Sequence, residues 1–96
     1  MKILAISHEV EGADWSNETL TLKKEARQVL RLYLDGFVRE IYFTEDMDAV
    51  IILECESKEE AFRLLGSLPL VEKGLLEFKV MELNPYTGYE RILTKS

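Results

Sequence analysis

The side chains best suited to move a proton are a carboxylate, a phenol and an imidazole that fall on or beside apolar strands. Glu40 and Tyr42 are separated by one residue, so both point to the same face of a strand. His8, the one histidine, follows an apolar segment that begins at Ile3. Carboxyl groups in a partly enclosed space acquire raised pKa values, and histidine changes its charge near neutral pH. We therefore predict Glu40 and His8 as candidate catalytic residues and Tyr42 as a candidate substrate contact.

Each of these side chains also has an ordinary structural explanation, which the sequence leaves open. Glu40 would then lie in water at the sheet rim or pair with a basic residue of a partner, and His8 would be a hydrogen-bonded surface residue. Trp15 is predicted either as a pocket lid or as a loop aromatic that packs on the rim. Arg39 and Arg91 are candidate anchors for an anionic substrate, although Arg39 falls on the face expected to lie under the helices.

The composition narrows the classes of partner and cofactor. The 96 residues carry 18 acidic and 12 basic side chains, a formal net charge of −6, which argues against a nucleic-acid or membrane surface. One histidine among scattered carboxylates makes no recognisable metal site, and there is no glycine-rich phosphate loop. We therefore predict no metal and no cofactor. The single cysteine, Cys55, excludes an internal disulfide and is typical of a cytoplasmic protein.

The apolar patterns predict six elements in the order strand, helix, strand, strand, helix, strand. They cover residues 2–8, 17–35, 37–44, 49–56, about 57–68 and 75–83. The first helix carries a single apolar stripe, which we expect to be core: Leu22, Ala26, Val29, Leu30, Tyr33 and Leu34. Gly36 ends that helix, Ser57 and Glu60 form a capping box at the start of the second, and Pro69 ends the second.

This order is that of a ferredoxin-like βαββαβ fold of the α+β class, with a four-stranded antiparallel sheet and both helices on one face. We predict one domain over residues 1–96, with the first and third strands in the middle. Those two strands are apolar on both faces, whereas a sheet covered on one side should alternate with polar residues. We therefore expect a second copy of the chain to cover the free face, and residues 84–96 to form a tail that packs on that partner.

The second and third strands form a predicted hairpin whose register follows from a turn centred on Asp46. On the face under the helices, the expected pairs are Phe43 with Ala49, Ile41 with Ile51, and Arg39 with Leu53. On the other face, they are Tyr42 with Val50, Glu40 with Ile52, and Val38 with Glu54. If a second subunit covers that other face, Glu40 lies in a partly enclosed space.

Two segments of the chain resemble muconolactone isomerase-like proteins. Residues 60–71 form a short helix that runs into a Leu-Pro-Leu connector, and residues 76–80 follow as a strand of alternating acidic and apolar type. A helix that ends in Asp35-Gly36 before an aromatic strand is also similar to that family. The resemblance implies a dimeric α+β barrel that can assemble into larger rings. It further implies cofactor-free proton transfer on a small unsaturated lactone carboxylate, with Glu25 at the position of a candidate catalytic glutamate.

Two classes of function follow from these observations. The first is a small cofactor-independent enzyme of the isomerase or proton-transfer type, acting on a carboxylated or carbonyl substrate, with Glu40, His8 or Glu25 as acid and base. The alternative is a non-catalytic homo-oligomeric module that binds a small molecule or only assembles, since a fold by itself implies no reaction. A monooxygenase-like quinone chemistry is a third hypothesis. A solvated Glu25 paired with a lysine or arginine one turn away is the structural alternative for that residue.

Overall fold

The computed structural model describes residues 1–93 of the chain. Its elements, in order, are β1 (Lys2–Glu9), α1 (Thr19–Leu34), β2 (Val38–Phe43), β3 (Ala49–Glu54), α2 (Lys58–Gly66), α3 (Pro69–Glu72), β4 (Leu76–Leu83) and α4 (Glu90–Leu93). The six long elements confirm the predicted order. The short helices α3 and α4 lie where the sequence analysis placed a connector and a tail.

The four strands form one antiparallel sheet in the order β2-β3-β1-β4. The predicted ferredoxin-like arrangement is therefore confirmed, with β1 and β3 in the middle and β2 and β4 at the edges. Ile3 pairs with Leu53 of β3, and Ala5 pairs with Val80 of β4. These residues of the sheet are buried in one core with Leu65 of α2, so the helices cover that face of the sheet.

Local signals set the ends of the helices as predicted. Gly36 has a φ of 88°, the left-handed conformation that glycine adopts freely just after a helix. The Oγ of Ser57 accepts the N–H of Glu60 at 3.0 Å, which is the first half of the capping box. The second half differs by one residue, because Glu60 Oε1 accepts the N–H of Glu56 rather than that of Ser57. Pro69 begins α3, where its missing N–H removes no helical hydrogen bond.

The hairpin register is confirmed over most of its length and wrong at its open end. Phe43 pairs with Ala49 and Tyr42 with Val50, and Glu40 pairs with Ile52, as expected. A bulge between Val38 and Glu40 then shifts the register, so that Val38 pairs with Leu53 in place of Arg39. Because a bulge reverses the alternation of side chains beyond it, the side chain of Val38 points into the core and that of Arg39 is exposed.

The sheet face opposite the helices is apolar at its centre and partly open to solvent. Leu4 and Ile6 of β1 and Val50 and Ile52 of β3 are each half-buried within the described residues 1–93. Of the predicted tail, Tyr86 and Ile92 are 72% and 81% exposed, and residues 94–96 lie outside the described part of the chain. Cover by a partner subunit, for the face and for the tail, stays a prediction. None of the helices within residues 1–93 has the length and apolar character needed to cross a bilayer.

Candidate functional site

A cavity of about 590 Å³ lies between α1 and the helix-facing side of the sheet. It is open to solvent on one side, since Phe43 and Met47 of its wall are each 67% exposed. This volume is in the range of small-molecule sites in proteins. Most of its wall is apolar and comes from α1 and from all four strands, with Ile41, Phe43, Ile51, Leu76 and Phe78 among the sheet residues. Ser7 of β1 adds a buried hydroxyl whose Oγ accepts the N–H of Ala49 at 2.7 Å.

The cavity lies beside the apolar stripe of α1, most of which is not buried against the sheet. The stripe residues that line it are Leu22, Ala26, Val29, Leu30 and Tyr33. Val29 is half-buried and packs against the core, whereas Tyr33 and Leu34 are 55% and 72% exposed. Leu32, outside that stripe, is the buried residue of α1. The predicted burial was therefore wrong for most of the stripe, because periodicity reports which residues share a face, not how close that face lies to the next layer.

Glu25 brings a carboxyl group to the helical wall of this cavity. It is half-buried, and its Oε1 accepts the backbone N–H of Leu70 from α3 at 2.9 Å. Burial raises the pKa of Glu25 above its ordinary value, and the hydrogen bond from Leu70 opposes part of that rise. A carboxyl group in this state can take up and release a proton closer to neutral pH than an exposed one.

Trp15 lines the same cavity from the loop between β1 and α1. Its indole Nε1 is buried and has no hydrogen-bond partner within residues 1–93. A buried donor without an acceptor is destabilising, and most such groups in proteins are satisfied. Because this atom is inaccessible to solvent, Trp15 lines the cavity through other atoms of the residue and not through its N–H.

The ionisable lining of the cavity is acidic. Besides Glu25, the wall includes Glu9 at the end of β1 and Asp48 just before β3, and no lysine, arginine or histidine of the described residues 1–93 lines it. Sequence reasoning missed Glu9 and Asp48. A signal for Glu9 was present, because Ile3, Ala5, Ser7 and Glu9 share one face of β1 by alternation and become polar toward its end.

The other predicted site residues lie outside this cavity. Glu40 and Tyr42 are exposed on β2, where the Tyr42 hydroxyl donates to Glu40 Oε1 at 2.9 Å. That hydrogen bond to the carboxylate raises the pKa of Tyr42. His8 is exposed on β1, with its Nε2 3.0 Å from Glu77 Oε2 of β4. The predicted cluster of His8 with Glu40 and Tyr42 is not formed. Glu40 pairs with Ile52 of β3, and Ile52 pairs with Leu4 of β1, which is four residues before His8 in the strand.

The two predicted anion anchors also lie elsewhere. The Nε of Arg39 donates to the carbonyl of Gly36 at 2.8 Å, and Arg91 belongs to α4. Neither lines the cavity. Within residues 1–93, no group of three or more histidine, cysteine, aspartate or glutamate side chains is placed to hold a metal ion.

Comparisons with known proteins show the fold and no family. No protein-family model matches the sequence, and a search of the curated proteins finds no match. Among solved structures, the chain is similar to a 5-chloro-2-hydroxyhydroquinone dehydrochlorinase from Burkholderia phenoliruptrix AC1100 in complex with 2,5-dihydroxybenzoquinone. The TM-score is 0.60 at 18% identity, over 88% of this chain and 94% of that chain. A protein from Agrobacterium tumefaciens is similar at a TM-score of 0.44 and 14% identity, over 92% and 98% of the two chains, too weakly to support an argument.

Proposed function

We propose that this protein is a small proton-transfer enzyme that acts inside the cavity between α1 and the sheet, with Glu25 as its acid/base group. The substrate is a compact, mainly apolar compound that bears a carbonyl or hydroxyl group. The single observation that carries this proposal is the position of Glu25. It is a half-buried carboxyl with a raised pKa, on the wall of an apolar cavity large enough for a ring compound.

The chemistry follows from the carboxyl group of Glu25 on the wall of this space. As a carboxylate, Glu25 takes a proton from a carbon next to the substrate carbonyl; the C–H electrons form a C=C bond and the carbonyl oxygen becomes an oxyanion. The neutral Glu25 then returns the proton to another carbon of the same substrate, and the carbonyl re-forms. This isomerisation conserves all atoms and electrons and requires no cofactor.

The structural comparison supports this class of reaction without identifying the substrate. The similar dehydrochlorinase removes HCl from its substrate, as its name states, so it too must move a proton. Its bound 2,5-dihydroxybenzoquinone is a ring that carries carbonyl and hydroxyl groups. We also propose that the chain is a distant relative of the muconolactone isomerase-like proteins. The resemblance to that family assigns its candidate glutamate to Glu25, and Glu25 is the one of the three predicted catalytic residues that lines the cavity.

We further propose that the protein forms a homodimer through the sheet face opposite the helices. The half-buried Leu4, Ile6, Val50 and Ile52 form the centre of that face. Burial of these side chains against a second copy is favourable in proportion to the apolar area removed from water. The cavity lies on the other side of the sheet, so the proposed dimer leaves its lining within one chain.

The proposed reaction is tested by turnover on a panel of unsaturated ketones, enol-lactones and chlorinated hydroxyhydroquinones. Glu25→Gln keeps the size of the side chain and an oxygen acceptor for Leu70, but it cannot accept a proton. We expect it to lower kcat/KM by about a hundredfold to ten-thousandfold. The matched control, Glu59→Gln on the exposed start of α2, should retain activity within about twofold.

Two results would overturn the assignment of Glu25. One is full activity of Glu25→Gln. The other is loss of activity in Glu40→Gln or His8→Ala with Glu25→Gln unaffected, which would move the chemistry to the opposite face of the sheet. A protein that turns over none of the panel, but gains thermal stability from its members, would be a binding module, the alternative that the sequence left open.

A further inference from the structure

We infer that the cavity selects uncharged ring compounds and excludes their carboxylate counterparts, so that the substrate is a neutral carbonyl- or hydroxyl-bearing molecule. This inference rests on the proposed function for its site and narrows the substrate class of that site. It departs from the lactone carboxylate that the family resemblance implies.

The first argument is the charge of the wall. The acidic groups that line the cavity come from three different elements of the fold: Glu9 ends β1, Glu25 lies in α1, and Asp48 precedes β3. No basic side chain among the described residues 1–93 joins them. A bound carboxylate would meet like charges and no cation, and like charges repel one another.

The second argument is the nature of the remaining surface. Apolar side chains make up most of the wall, among them Leu22, Val29, Leu30, Ile51 and Phe78. A carboxylate that lies against this surface loses part of its hydration and gains few hydrogen bonds in return, which is unfavourable. A neutral carbonyl loses much less hydration.

The third argument is the position of the predicted anion anchors. The basic residues suggested by the sequence as anion anchors, Arg39 and Arg91, do not line the cavity.

The test compares two ligands of the same size and shape that differ in charge, naphthalene-2-carboxamide and 2-naphthoate, by calorimetric titration of the full chain near neutral pH. We expect the carboxamide to bind at least about tenfold more tightly than the carboxylate. Glu9→Lys, at an exposed position of the cavity wall, should reduce that ratio severalfold by strengthening binding of the carboxylate alone. Glu11→Lys is the matched control, because it changes the net charge equally at an exposed residue outside the wall.

Each outcome decides the inference. Equal or tighter binding of the carboxylate contradicts it, and so does an equal response of the two lysine variants, which would assign the selectivity to the net charge of −6. If the carboxylate binds better while Glu25→Gln abolishes turnover, the charge selectivity fails and the proposed reaction stands. If the carboxamide binds better while Glu25→Gln remains active, the charge selectivity stands and the proposed reaction fails. If neither compound binds, the cavity is not a site for ring ligands, and both proposals fail.

Discussion

The Oε1 of Glu25 in α1 accepts the backbone N–H of Leu70 in α3 at 2.9 Å, across 45 residues of sequence. This hydrogen bond gives the donor at the start of α3 an acceptor and holds the carboxyl group at the cavity wall. A second link joins the residues that flank these helices, since Lys73 Nζ, just after α3, is 2.7 Å from Glu18 Oε1, just before α1. The residue proposed to move a proton is therefore also a structural contact between two elements, and the two roles can be separated by substitution.

The first prediction concerns the pH dependence of stability. Burial raises the pKa of Glu25 above its ordinary 4.5 in the folded chain, so between the two values the folded protein binds more protons than the unfolded one. The contribution of Glu25 to the free energy of unfolding is fully present at a pH below the ordinary pKa. It is lost as the pH rises through the raised pKa of the folded chain. Glu25→Gln removes this loss and keeps an acceptor for Leu70. We expect its free energy of unfolding, measured in urea, to improve relative to the wild type as the pH rises above the ordinary value of 4.5.

Glu59→Gln controls for the loss of one negative charge at an exposed site and should show no such trend. Glu25→Ala tests the structural role of the hydrogen bond, because it leaves the N–H of Leu70 without its acceptor. That variant should lower the free energy of unfolding by about 1–3 kcal/mol. A Glu25→Gln variant whose stability follows the wild type in parallel at every pH would contradict the assigned pKa shift.

The second prediction concerns the unpartnered indole. Trp15→Phe keeps an aromatic ring at the cavity and removes the Nε1–H, which is inaccessible to solvent. We expect binding of naphthalene-2-carboxamide and of naphthalene, which has no acceptor, to change by the same factor within about twofold, because the N–H is out of reach of a ligand. Calorimetric titration measures both, and a loss confined to the carboxamide would show that the donor does make the contact.

The third prediction concerns assembly. Ile52→Lys places a charge at the centre of the open sheet face, on a half-buried residue that pairs with Leu4 and Glu40 in the sheet. We expect the wild type to sediment as a dimer and this variant to sediment as a compact monomer, because a buried unpaired charge opposes association. Leu34→Lys, at a 72% exposed position of α1, is the matched control and should leave the dimer intact. Sedimentation of the dilute wild type as a stable single chain would remove the dimer proposal.

The fourth prediction concerns the capping box of α2. Ser57 Oγ accepts the N–H of Glu60 at 3.0 Å, and Ser57→Ala removes that acceptor. The free energy of unfolding should fall by about 1 kcal/mol. Ser57→Asp, which keeps an oxygen at the cap and complements the helix dipole, should recover most of the loss. Chemical denaturation measures all three proteins, and an alanine variant as stable as the wild type would show that the cap contributes nothing.

The elements of this fold and their order could be predicted from the sequence because local signals specify them. The short apolar run of β1, helical periodicity in α1, Gly36 and Ser57 each act within a few residues. The position of β1 and β3 in the middle of the sheet followed from their apolar character on both faces together with the handedness of crossovers. The bulge after Val38 did not follow, because register depends on pairing across strands rather than on the pattern within one strand.

The candidate site, by contrast, depends on distances that only the tertiary structure decides. The sequence determined that the stripe of α1 shares one face, but the space between that face and the sheet follows from how the helix packs on the other elements. Likewise, the sequence supplied Glu25 and Trp15 as candidates, while their approach to one cavity depends on packing between elements far apart in the chain. Burial, and with it the raised pKa of Glu25, is a property of that packing, since a carboxyl group responds to the solvent it has lost rather than to its neighbours in sequence.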